Sequence, residues 1–183
     1  LLALAYGAEA ARQPDGVDMD QFHRKFAELE LGGAPSADLL EFLAKAPQVE
    51  FEWQMAALLL DPEMAKHNHL RPAEVIALAR RSAELGAELL PLLSRLSGND
   101  TLRGMILAVR ASWVAAEALS IQHGGPCGEA RVRRYNEVLQ QVRAETPGYV
   151  LKGRFSADCD KDGPLSTRLL GVLQLLPTLT PAP

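Results

Sequence analysis

Two long amphipathic segments joined by Ser97-Gly98-Asn99-Asp100 limit what this chain can fold into more than any other feature. The first opens at Pro72 and carries Val75, Leu78, Ala79, Ser82, Leu85, Leu89, Leu92 and Leu96 along one stripe. Apolar residues spaced by threes and fours mark a helix that buries one side. Pro91 lies inside this stripe and is expected to kink or break the helix near Leu89, because proline has no N–H for the helical ladder. The second segment starts at Asp100, a suitable cap, and places Leu102, Met105, Ile106, Val109, Trp113 and Ala116 on its face. A link this short forces the two helices to run antiparallel, their apolar stripes facing a common core.

Shorter helical patterns flank this hairpin. Residues Leu1 to about Gln13 read as an amphipathic helix stopped by Pro14-Asp15-Gly16. Asp18 and Gln21 have the spacing of a capping box, followed by Met19, Phe22, Phe26 and Leu29 on one face. Gly32-Gly33-Ala34-Pro35 ends that helix, and Ser36 caps the next, with Leu39, Leu40 and Leu43 apolar. Val49 to Met55 alternates like a strand. It also fits a helical stripe through Val49, Trp53, Ala56 and Leu60, and with no strand partner nearby the segment reads as helix. After His123-Gly124-Gly125-Pro126 a further helix spans Glu129 to Glu145, with Val132, Tyr135, Leu139 and Val142 facing inward and Thr146-Pro147-Gly148 as its stop. A last helix runs from about Ser166 to Leu176. The expected fold is therefore all-α: a single-domain bundle over 1–176, of about seven or eight helices around a central long antiparallel hairpin. Residues 177–183 form an extended, mobile, proline-rich tail.

The formal net charge is -4, from 19 Lys and Arg against 23 Asp and Glu, which argues against a nucleic-acid binder. No uninterrupted apolar run reaches the roughly 20 residues that span a bilayer. Leu1 to Gly7 is apolar and Ala8-Glu9-Ala10 has the small-x-small form of a signal-peptidase site. A cytoplasmic location is expected, with an exported or periplasmic one as the alternative if residues 1–10 are a signal-peptide remnant. Cys127 and Cys159 pair into a disulfide only in an oxidising compartment, and otherwise stay thiols.

The most specific chemical pattern is Asp158, Asp160 and Asp162 followed by Gly163. Three carboxylates at alternate positions with a glycine turn form the opening half of an EF-hand-type calcium loop. Pro164 then holds the seventh position and Leu169 the twelfth, where a bidentate glutamate is required. The competing reading is a solvated acidic turn before a helix N-terminus. His67 and His69 can share a metal on a strand but point apart on a helix. His23 and His123 stand alone, and His123 in a final helical turn suits the dipole there. Cys127, near a predicted helix start, is in a place that lowers a thiol pKa but lacks a base beside it in sequence. No G-x-S-x-G elbow, P-loop or G-x-G-x-x-G motif occurs.

Arg131, Arg134 and Arg143, with Arg133, give one helix a positive character, and Lys152 and Arg154 follow. Such a face suits an acidic protein better than DNA in a chain of negative net charge. The expected function is a non-catalytic helical protein-binding module, of regulator, adaptor or inhibitor type. Arg131, Arg134 and Arg143 are its candidate partner-binding residues, and it needs no cofactor. The alternatives are a calcium- or metal-dependent protein using Asp158 to Asp162, and a small-molecule sensor with a pocket between helices.

Overall fold

The computed structural model describes residues 2–12, 16–32, 35–49, 55, 58–59, 71–151 and 173–180. Among them are six α-helices, a short 3-10 turn at Ala46–Gln48, and no strand. The helices are α1 (Leu2–Arg12), α2 (Met19–Glu30), α3 (Ala37–Lys45), α4 (Pro72–Leu93), α5 (Asp100–Gln122) and α6 (Glu129–Leu151). Met55, Leu58, Leu59 and residues 173–175 are also helical. The all-α bundle expected from the apolar spacing is the fold observed.

Capping residues set most of the boundaries. Asp18 accepts from the N–H groups of Asp20 and Gln21 at 3.0 and 3.1 Å and starts α2. Ser36 Oγ accepts from Leu39 N at 3.1 Å and starts α3. At α5 the cap is Asn99 rather than the expected Asp100: its Oδ1 accepts from Leu102 N, and its Nδ2 donates to the Glu30 carbonyl at 2.8 Å. One side chain thus satisfies an open donor of α5 and an open acceptor of α2. An aspartate cap lacks the N–H needed for the second bond. The C-terminus of α5 closes with a Schellman turn, in which Gly125 N bonds Ser120 O and Gly124 N bonds Ile121 O. Gly124 there has φ 79°, a conformation glycine tolerates.

The α4–α5 pairing is the most extensive among the described residues and forms the central hairpin. The buried face of α4 is Val75, Ala79, Ser82, Ala83, Gly86, Leu89, Leu90, Leu92 and Leu93. Leu78, Leu85 and Leu96 of the expected stripe are only half-buried. The shift follows from Ala79, Ala83 and Gly86, whose small size lets α5 approach closely. Trp113 of α5 packs over Gly86 and donates from Nε1 to the Ala83 carbonyl at 3.0 Å. Pro91 does not stop α4, which continues to Leu93. Losing one ladder bond near a helix end is offset by burial of Leu89, Leu90, Leu92 and Leu93 on both sides of the proline.

The turn end of the hairpin receives α2 and α3, which bury Phe22, Phe26, Phe42 and Leu43. On α2 the buried face is Phe22, His23, Phe26 and Ala27, while Met19 and Leu29 are exposed, against the sequence expectation. The far end of the hairpin builds a smaller core of Met55, Leu58, Val75, Ala79, Ala83, Ala116 and Leu119. α6 packs along α5 with Val132, Tyr135, Val138, Leu139 and Val142 buried. It runs through the predicted stop at Pro147 and Gly148 to Leu151.

By length and composition alone α5 could cross a membrane, with a mean hydropathy of 1.4. It reaches that average without an unbroken apolar run. Of its most apolar window 67% is buried against the rest of the bundle, as expected for a core helix.

Candidate interaction surface on α6

α6 is the helix that carries the arginines singled out from sequence, and the structure gives each a different position. Arg131 reaches across to Glu117 of α5. Its Nη2 donates to Oε2 at 2.7 Å and its Nε donates to Oε1, forming a two-pronged pair. Glu117 is 0% exposed. A carboxylate buried among alanines requires such a partner, since an unpaired charge there would be strongly penalised. The carboxylate in turn holds the Arg131 guanidinium above its ordinary pKa, chiefly through the hydrogen bonds.

Arg143 points to another part of the chain. It donates to the main-chain carbonyls of Leu173 at 2.9 Å, Gln174 at 3.3 Å and Leu176 at 2.6 Å. Residues 173–175 form a helical turn, so these are carbonyls that a helix end leaves open, and a cation suits that end of the dipole. Two further α6 residues continue the grip. Tyr135 Oη donates to the Pro177 carbonyl at 3.3 Å. Asn136 pairs doubly with Leu179, donating from Nδ2 to its carbonyl at 2.8 Å and accepting from its N–H at 3.0 Å. The Asn136 side-chain amide thereby imitates a neighbouring strand. Leu173 and Leu176 are buried, Leu179 is half-buried, and Leu175 is 68% exposed. The part of the expected tail within the described residues, Pro177 to Thr180, is thus held against α6 rather than hanging free.

Burial also acts on Tyr135. Its hydroxyl is pushed up to about 12, mainly by desolvation, with the Glu117 charge adding to the rise and Arg143 opposing it.

Arg134 is exposed and lines a crevice of about 220 Å³ with Leu90, Pro91, Ser94, Arg110, Glu137, Val138 and Gln141. Pro91 lines this crevice from the α4 side, while Arg110 bonds Glu145 at 3.4 Å and ties α5 to α6. The structure therefore separates the three arginines: two hold parts of the fold, and one faces outward beside a crevice. Asn136 and Tyr135 were missed as a gripping pair. Asn136 lies on no apolar or charged pattern, and Tyr135 read only as a core residue.

A second crevice of about 540 Å³ lies where the end of α2, the start of α3 and the α4–α5 turn meet. Arg95 spans it, bonding both oxygens of Asp38 at 2.8 and 3.2 Å. That pairing holds the Asp38 carboxyl below the usual carboxylate range.

Asp158, Asp160, Asp162, His67, His69 and Cys159 lie outside the described residues. Cys127 is exposed, with its thiol free, in the α5–α6 connection. Among the described residues no group of three or more His, Cys, Asp and Glu side chains is placed to hold a metal ion. His23 is buried against Phe22, at a ring separation of 5.7 Å. Burial lowers its pKa below 6.5, with nearby Asp20 opposing the shift. No protein-family model matches the chain, and neither a curated protein nor a solved structure matches it.

Proposed function

We propose that the chain is a non-catalytic helical protein-binding module, of regulator, adaptor or inhibitor type, acting through the outer side of α6 and the crevice it shares with α4 and α5. One observation supports this above the others. α6 aims Arg143 at carbonyls of a helical turn, and Tyr135 and Asn136 at main-chain groups of the extended run that follows it, which is the chemistry of holding another polypeptide. Beside that grip, Arg134 is exposed and suits an acidic partner, while Arg133 is paired with Glu129 at 2.7 Å.

The test is capture of a partner from the native source by wild-type chain and by surface variants. Arg134→Glu should abolish retention of the partner and leave the helical circular dichroism unchanged. Arg24→Glu, a matched charge reversal at an exposed position on α2, should retain it. Equal loss in both variants, or in neither, would remove α6 as the binding face.

A further inference from the structure

Leu173 to Leu179 runs antiparallel to α6. Its start is bonded by Arg143, late in the helix, and its end by Asn136 and Tyr135, about two turns earlier. Every hydrogen bond that α6 side chains make to it goes to main-chain atoms. Such bonds carry no information about the side chains of the bound segment. What α6 selects is a backbone shape, a helical turn followed by an extended run. Leucines at the first, fourth and seventh positions, Leu173, Leu176 and Leu179, reach the core. Pro177 at the fifth position suits the change from helix to extended chain, because it cannot continue the ladder. Gln174, Leu175, Pro177 and Thr178 face solvent and add no selectivity of their own.

We infer that the α6 face is a peptide-reading groove and that residues 173–180 are its resident, exchangeable occupant. The ligand in trans is a segment of a partner protein with the pattern Leu-x-x-Leu-Pro-x-Leu. This inference rests on the reading of α6 as a protein-binding helix and names what that helix binds. The argument is one of equivalence: any segment with that leucine spacing and backbone shape satisfies the same donors, acceptor and apolar seats. The resident segment belongs to the same chain, so a partner segment competes with an intramolecular contact, and covalent connection raises the effective concentration of the resident segment. A partner segment therefore gains access when the resident contacts are weakened or when it brings additional contacts, such as acidic groups beside Arg134.

The experiment uses the full-length chain and a fluorescent peptide of sequence Leu-Gln-Leu-Leu-Pro-Thr-Leu-Thr, with binding read by anisotropy. Wild type should bind it weakly. Leu176→Asp, which weakens the resident segment and leaves the residues of α6 unaltered, should bind at least about tenfold more tightly, as intramolecular competition is lost. Adding Asn136→Ala to that variant should reverse the gain, and a scrambled peptide should not bind. Should Leu176→Asp lose its helical circular dichroism, Leu179→Asp, at a half-buried position, replaces it. Folded variants with no gain over wild type overturn the inference, and so does unfolding of both, since the segment would then be a fixed part of the core. Dimerisation of wild type, lost on Asn136→Ala, also overturns it by assigning the groove to a second copy of the chain. If the peptide fails while partner retention still depends on Arg134, the groove is refuted and the binding-module reading stands.

Discussion

Glu117 is a carboxylate without solvent access on the core helix α5, and it depends on one guanidinium. Removing that guanidinium should cost more than the pair itself contributes. Arg131→Ala leaves a buried charge uncompensated, a loss of about 3–5 kcal/mol for a fully buried pair. Arg131 keeps a partly exposed side chain, so water can take some of its place and the loss should fall toward the low end. The double change Glu117→Leu with Arg131→Met should lose much less, because no charge is stranded. Urea unfolding of the three proteins checks this, and equal losses for the single and double changes would contradict it. His23 makes a prediction in pH. Its folded pKa lies below 6.5, so between the two values the unfolded chain binds more protons and stability rises with pH. The contribution is present above 6.5 and is lost as pH falls through the lowered value. His23→Phe should therefore lose less melting temperature than wild type between neutral and mildly acidic pH.

At the scale of elements, the α4–α5 hairpin is set by size as much as by hydrophobicity. A Cβ added at Gly86 would lie 2.5 Å from Trp113 Cδ1, and Trp113 is held by its bond to Ala83 and by complete burial. Gly86→Ala would gain up to about 1 kcal/mol in helix propensity. The clash should outweigh that gain, for a net loss of about 1–3 kcal/mol by thermal or chemical denaturation. A stabilised Gly86→Ala protein would show that the helices are free to move apart. The same feature explains what the sequence made legible. Periodicity located nearly every described helix, and Asp18 and Ser36 marked true starts. The stripe read on α4 included Val75, Ala79 and Ser82, which are buried, but it left out Ala83 and Gly86, where Trp113 packs, and it took in Leu85, which lies at the margin. Asn99 and Asp100 are equivalent as caps by residue type. Only the Glu30 carbonyl, distant in sequence, distinguishes them. On α6, Arg143 was legible as a cation, but its partners were not, because main-chain carbonyls have no sequence signature. Glu117 was the overlooked clue: a carboxylate set among alanines in the middle of an apolar run implies a buried counter-charge.

For the whole molecule, the burial of Tyr135 in the bundle should appear in alkaline titration. The Tyr135 hydroxyl is raised from 10.0 to about 12, so between these values the unfolded chain releases a proton that the folded chain keeps. Stability is fully present below pH 10.0 and falls by up to about 2–3 kcal/mol as pH rises to 12. Tyr135→Phe gives up the bond to Pro177 but should flatten this alkaline decline. A decline of equal steepness in the variant would mean that other groups cause it.

The two helices that bury most against each other are also neighbours in sequence, joined only by residues 94–99. Bringing such neighbours together loses little chain entropy, whereas docking α2, or the segment that α6 holds, closes far longer loops. The molecule thus has a built-in order of assembly. The hairpin should already be formed at the folding transition state, with Leu89→Ala slowing folding and giving a φ-value near one. Truncations on α2, such as Phe26→Ala, should act mainly on the unfolding rate. The face on which the bundle is assembled would then be made by the hairpin before any other helix arrives.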